Sequence, residues 1–274
     1  MSIAISTHQL EKYFRSYEKT EGLWASIQSL GNRKYFDKYA LFPTDLTLEE
    51  GQIVGLVGAN GAGKTTLIKL LSGLVYPSGG SAKVLGFTPS DRDSDFLRQI
   101  GLLLGQKNQL WWDISPMDSF SMLANIYDLD PAQARDRVHD LAKIMNAEHV
   151  LNTQLRRLSL GERMKMEIIG ALLHQPKVLF LDEPTIGLDI VAQSNIREFL
   201  MAYVKEFRPT ILLTSHYMDD IALLAQQLLL MQKGRIVYQG TVTEFVQQAQ
   251  NSQTEEVDFE QVIHSFLQAE HHVR

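Results

Sequence analysis

Eight residues restrict the fold of this chain more than any others. Gly58-Ala59-Asn60-Gly61-Ala62-Gly63-Lys64-Thr65 satisfies the pattern G-x-x-x-x-G-K-[ST] at every fixed position. Gly58, Gly61 and Gly63 let the backbone approach a ligand without interference from a Cβ. Peptide N–H groups then turn inward as an anion-binding nest, and the positive end of the following helix adds its partial charge. Lys64 is placed to reach the β and γ phosphates of a nucleotide, and the Thr65 hydroxyl to ligate Mg²⁺. The flanks agree with this reading. Ile53 to Val57 is a short apolar run of buried-strand type, and Leu67, Ile68, Leu70, Leu71 and Leu74 form a helical stripe. Strand, loop and helix follow in the order the pattern needs.

The rest of the composition is that of a globular chain. Of 274 residues, 45% are hydrophobic, enough for one large domain or a core with appendages. The 26 basic and 32 acidic residues leave a net charge of −6. Much of the acidic excess gathers near the C-terminus, at Glu255, Glu256, Asp258, Glu260 and Glu270, so no nucleic-acid footprint is visible and no nucleic-acid partner is expected. With no cysteine there is neither a disulfide nor a thiolate metal site. No apolar run approaches the roughly 18 residues that span a bilayer, so the chain is expected not to cross a membrane itself.

Alternating strands and helices predict an α/β fold with phosphate chemistry at the carboxyl ends of its strands. Residues 3 to 10 read as a first strand, and 41 to 48 lead into the strand before the phosphate loop. The stretch between them, 11 to 40, mixes aromatic residues with Lys12, Arg15, Lys19, Arg33, Lys34 and Lys38. Leu23, Trp24, Ile27 and Leu30 fall at helical spacing there, which fits either a surface helix meeting lipid headgroups or a membrane partner, or a helix packed on its own domain. Residues 81 to 85 and 100 to 104 read as strands, and 113 to 157 as a mostly helical insert. Strands at 178 to 181 and 211 to 214 alternate with helices at 191 to 207 and 217 to 225. A hairpin turns at Lys233-Gly234. Residues 249 to 256 are polar enough for a linker, and Val262, Ile263, Phe266 and Leu267 suggest a terminal amphipathic helix.

The strand Val178-Leu179-Phe180-Leu181 delivers Asp182 and Glu183 at its carboxyl end. Ionised carboxylates there need a cation or a task. Asp182 is expected near the Mg²⁺, and Glu183 is placed to polarise an attacking water, a role typically worth about 10² to 10⁴ in rate.

Together these motifs resemble the ATP-binding cassette (ABC) ATPases. Residues 58 to 66, ending in Thr65-Thr66, look like their Walker A loop, 178 to 183 like Walker B, and Gln106 like the Q-loop glutamine. Leu158-Ser159-Leu160-Gly161-Glu162 is similar to the signature written LSGGQ, Ile186-Gly187-Leu188-Asp189 to the D-loop, and His216 to the switch histidine. The resemblance implies a P-loop NTPase fold of the ABC ATPase kind, with a mixed-sheet core, a helical subdomain and an N-terminal β subdomain. It implies a cassette over residues 1 to 240, a helical subdomain near 107 to 175, and a short extension at 241 to 274. It implies ATP sandwiched in a head-to-tail homodimer between Walker A of one copy and Ser159 and Gly161 of the other, with Asp189 beside it. Lys64, Gln106, Glu183 and His216 would take part in hydrolysis, and Thr65, Gln106 and Asp182 would attend the Mg²⁺.

Leu160 and Glu162 depart from the signature. A negative Glu162 near a phosphate is unfavourable, so its side chain is expected to face away. Tyr13, Phe14 and Tyr39 are candidates for stacking on adenine. The segments around Gln106, the signature and His216 resemble ATPases that pair with ABC-2 type permeases, a group dominated by exporters, and the 11 to 40 insert is similar to those of polysaccharide exporters. That implies an ATP-hydrolysing subunit held peripherally at the cytoplasmic face of a bacterial inner membrane by a separate integral membrane permease, with 11 to 40 as a second point of membrane contact. Trp111 and Trp112 either anchor that permease or fill the core of the helical insert.

Overall fold

The computed structural model describes residues 2–17, 35–105, 109–215 and 217–250. Gln106, His216, the helical spacing at 23 to 30 and the C-terminal periodicity at 262 to 267 lie outside them.

A six-stranded sheet forms the core. Its strands are β3 (Ile53–Val57), β5 (Ile100–Leu104), β6 (Val178–Asp182), β7 (Thr210–Thr214), β8 (Gln227–Gln232) and β9 (Arg235–Thr241). They lie in the order β5-β6-β7-β3-β8-β9. All neighbours are parallel except β8 and β9, which close as an antiparallel hairpin. Both faces are covered, which is why β3, β6 and β7 read as unbroken apolar runs. Phe180, Leu212, Leu229 and Leu56 point to one face and Leu179, Leu181, Leu213 and Leu230 to the other. Each such side chain, wholly withdrawn from water, contributes about 1.5–3 kcal/mol.

On the first face lies a smaller antiparallel sheet of β1 (Ile3–Tyr17), β2 (Tyr35–Glu49) and β4 (Gly79–Val84), in the order β2-β1-β4. It shares a core with α1 (Lys64–Leu71) and α2 (Ser94–Leu97) through Ile5, Leu10, Leu41, Leu67 and Phe96. The second face carries the helices α3 (Pro116–Ile126), α4 (Pro131–Ile144), α5 (Leu160–Leu172), α6 (Ile190–Phe207), α7 (Met218–Leu224) and α8 (Val242–Gln250). The starts of α3 and α4 are written locally. Ser115 and Asp130 cap them, accepting from Asp118 N and Gln133 N, and Pro116 and Pro131 follow at the first helical position. Among the described residues no helix is long and apolar enough to cross a membrane.

Two expectations change at the N-terminal end. The first strand does not stop at residue 10 but runs to Tyr17, and the second begins at Tyr35 rather than near 41. The described flanks of the aromatic and basic stretch are therefore a β-ribbon. Its register sets Tyr13 opposite Tyr39, Phe14 opposite Lys38 and Tyr17 opposite Tyr35. Aromatic rings at cross-strand positions favour pairing, which a search for helical periodicity does not detect.

Candidate nucleotide site

Because β6, β7 and β3 are adjacent and parallel, their carboxyl ends bring three distant segments to one edge. The phosphate loop leaves β3, Asp182 ends β6 and Thr214 ends β7. The Thr65 hydroxyl donates to Asp182 Oδ2 (2.8 Å) and the Thr214 hydroxyl to Asp182 Oδ1 (2.7 Å). Thr214 Oγ1 in turn accepts from Glu183 N (2.9 Å). Glu183 itself stands at φ 57°, left-handed for a non-glycine residue, so the chain breaks from the strand direction at this carboxylate. Such backbone strain is found disproportionately at functional sites.

The phosphate loop is gripped from two sides. A Cβ on Gly58 would meet the Met231 carbonyl at 2.1 Å, and one on Gly63, at φ 109°, would meet the Ala40 carbonyl at 2.4 Å. Any side chain at either position forces the backbone apart. The turn between β8 and β9 completes the grip, with Gly234 N donating to Ala62 O and Phe42 N to Gly234 O, both at 2.8 Å. Lys64 is buried at the loop, its ammonium donating to the Gly58 carbonyl (2.7 Å). Burial lowers its pKa, and the nearby Glu183 and Asp182 carboxylates oppose that shift. A buried cation at a glycine-rich loop that opens a helix is a setting for an anion. The paired Thr65 and Asp182 oxygens suit a hard divalent cation such as Mg²⁺, which takes few protein ligands.

Gly105 N donates to Asp182 O (2.8 Å), which holds the residue after β5 against the end of β6. Gln109 N and Leu110 N donate to the buried Glu167 carboxylate on α5. Tyr13 and Tyr39 are in ring contact at 5.4 Å and Tyr39 stacks on Phe42 at 4.6 Å, an aromatic row on the strands that pass the loop. Phe14 is half-exposed with Lys12 over its ring.

The segment Ser159-Leu160-Gly161 opens α5, with Leu160 close to Gly187 and Gly161 near Ala192. Asp189 caps α6 by accepting from Ala192 N (2.9 Å). Glu162 folds back on Ser159, accepting from both the hydroxyl (2.7 Å) and the backbone N–H (2.9 Å) at Oε2. A helix's first turn leaves N–H groups unpaired, and this capping box satisfies two donors, Ser159 N and Glu162 N. Trp111 and Trp112 are 40% and 42% exposed, so neither ring fills the core of the helical region, and Arg163 lies over Trp112 at 5.0 Å.

Sequence reasoning met Thr214, Ser215 and Asp220 only as part of the stretch around His216 and gave them no role, and it missed Glu167 altogether. A polar residue ending an apolar strand was a usable signal for Thr214. The partners of Asp220 and Glu167 depend on strand and helix neighbours that no local pattern reveals.

The family described as ABC transporter matches residues 41–186. The ABC transporter ATP-binding protein NatA of Bacillus subtilis is 32% identical over 215 residues, covering 77% of this chain and 87% of NatA. The Nod factor export ATP-binding protein I of Cupriavidus pinatubonensis is 34% identical over 208 residues, covering 76% of this chain and 63% of that protein. Among solved structures, cbiO1 from Clostridium perfringens, described as part of the ABC transporter complex cbiONQ, superposes with a TM-score of 0.72 at 26% identity. The match covers 97% of this chain and 99% of cbiO1.

Proposed function

Since the chain belongs to the ABC transporter family and is an ATP-binding ATPase subunit of that family, we propose that it drives a separate ABC-2 type membrane permease, in the direction of export. The name of the Nod factor relative supports export, and the description of cbiO1 as part of an ABC transporter complex supports a separate partner. On this reading the subunit is held at the cytoplasmic face of a bacterial inner membrane by its permease, with the β1–β2 ribbon and residues 11 to 40 nearby. The cassette spans 1 to 240, with a helical subdomain near 107 to 175 and a short extension at 241 to 274. Trp111 or Trp112 contacts the permease.

One observation carries the chemistry: Thr65, Asp182, Thr214 and the backbone of Glu183 form a continuous hydrogen-bonded row beside the buried Lys64. We assign ATP to the loop of Gly58, Ala59, Asn60, Gly61, Ala62 and Gly63, with Lys64, Thr65 and Thr66 at its phosphates and Tyr13 or Tyr39 at its adenine. Thr65 and Asp182, joined by Gln106, would hold Mg²⁺, which supplies charge neutralisation for the leaving phosphates. Glu183 orients a water and accepts its proton as the oxygen attacks the γ-phosphorus. The bond from that phosphorus to the bridging oxygen breaks, and ADP and phosphate leave. His216 steadies the γ-phosphate. Ser159 and Gly161 of a second copy cover the nucleotide from the other side, with Asp189 at the same junction, so two sites are completed in a head-to-tail dimer.

The test is Glu183→Gln, followed by light scattering and phosphate release with Mg²⁺-ATP. The variant is expected to accumulate as an ATP-bound dimer while turnover drops by about 10² or more. Hydrolysis at the wild-type rate would remove Glu183 from the mechanism.

A further inference from the structure

Asp220 has been given no role so far, yet it bonds to the loops on both sides of the proposed chemistry. It lies in the first turn of α7 and is 1% exposed. Its Oδ2 accepts from the Thr185 hydroxyl and from the Ser215 hydroxyl, each at 2.6 Å. Its Oδ1 is paired with Arg197 Nε of α6. Ser215 Oγ also accepts from Tyr217 N (3.0 Å), so the hydroxyl is fixed on both sides of residue 216. Arg197 reaches Gln193 Oε1 (3.4 Å), and Gln193 Nε2 donates to the Leu188 carbonyl (3.0 Å).

These contacts have a pattern that charge neutralisation alone does not require. A buried carboxylate needs a counter-charge, and Arg197 supplies it. The second oxygen is given to two hydroxyls from two different loops. Thr185 belongs to the loop that starts at Glu183, and Ser215 immediately precedes His216. Both hydroxyls are buried, so each has one favoured partner and a narrow range of positions.

We propose that Asp220, held by Arg197, is a positioning residue for ATP hydrolysis that fixes the loop bearing Glu183 against the loop bearing His216. This rests on the roles given to Glu183 and His216 above. Through Gln193 and Leu188 the same network reaches the segment ending at Asp189, so that segment and the two loops move as one unit.

Three variants of the full chain separate positioning from a purely structural role. Thr185→Val and Ser215→Ala each delete one hydroxyl and leave the Asp220–Arg197 pair in place. Asp220→Asn keeps the shape and removes the charge. For each, kcat and KM for ATP are measured with thermal melting alongside, and Glu183→Gln is run in parallel. Thr185→Val and Ser215→Ala are expected to lower kcat by about 10- to 100-fold, the scale of a small misplacement of reacting groups, with KM and melting unchanged. Asp220→Asn is expected to lose at least as much turnover. Wild-type kcat in both hydroxyl variants would overturn the proposal, and so would a loss of turnover matched by equal losses of ATP affinity and melting temperature. If Glu183→Gln hydrolyses ATP normally, the assignment beneath fails instead, whatever the other variants do. An inactive Glu183→Gln beside fully active Thr185→Val and Ser215→Ala defeats the positioning role alone.

Discussion

Glu162 keeps a negative charge at the opening of α5, where the proposed sandwich brings the γ-phosphate of the other copy. Hydrogen bonds from Ser159 hold its carboxyl below the usual carboxylate range, and His149 lies 3.3 Å from its other oxygen. Its stabilising effect is present above about pH 4.5 and is lost only as pH falls through the lowered value, so the side chain is ionised at neutral pH. The hydroxyl that would meet the phosphate is already donated to this carboxylate, and closing the dimer has to break that bond against like charge. Glu162→Gln retains an acceptor for the cap and removes the repulsion. Because the site is only partly shielded from solvent, about 1 kcal/mol is at stake, so the ATP-driven dimer should tighten roughly fivefold by light scattering. A weaker dimer would show that the charged cap matters more than the repulsion.

At the scale of elements, α5 is tied to the strand before it by Glu167. This carboxylate accepts from Gln109 N and Leu110 N, so the segment leaving β5 travels with the helix that begins at Ser159. Glu167→Ala leaves two backbone donors without a partner, at about 1–3 kcal/mol for each. Chemical denaturation should show a loss of about 2–6 kcal/mol, with Glu167→Gln losing less because one acceptor oxygen remains. The elements that the sequence disclosed are those whose cause is local. Gly63-Lys64-Thr65 starts α1 by its own chemistry, Pro116 and Pro131 announce α3 and α4, and alternate residues of β6 reach opposite faces of a covered sheet. The ribbon of β1 and β2 escaped because its aromatic pairs meet across strands, where spacing along one chain carries no trace of them. In the site, Lys64, Thr65, Asp182 and Glu183 were legible from type and spacing. Thr214, Ser215 and Asp220 were not, because their meaning depends on β7 lying between β6 and β3. The capping box of Glu162 went unseen because repulsion from a phosphate was weighed, while the unpaired N–H groups of its own helix were not.

Across the whole molecule, the helical region meets the sheet at His174. Its ring stacks on Tyr127 at 3.9 Å and its Nε2 is 2.8 Å from the Ile100 carbonyl, so one side chain just after α5 joins the residue that ends α3 to β5. Burial lowers its pKa from 6.5, helped by Arg137 and opposed by the Ile100 hydrogen bond. The unfolded chain therefore binds a proton at a pH where the folded chain does not. The stability from neutral His174 is whole above about pH 6.5 and is lost as pH falls through the lowered value. Melting temperatures measured from about pH 7 to about pH 5 should fall for the wild type, and His174→Gln should flatten that slope. An equal slope in both would place the acid sensitivity elsewhere.

The order β5-β6-β7-β3-β8-β9 also governs how the chain is made. Ile53 pairs with Ile211 and Val54 with Gln227, so the strand that feeds the phosphate loop has no sheet neighbour until most of the chain has been synthesised. The loop is encoded early and assembled late. On the ribosome, the apolar β3 must wait, shielded by the earlier β1–β2 ribbon or by a chaperone, and a truncated product ending before β7 would expose it to aggregation.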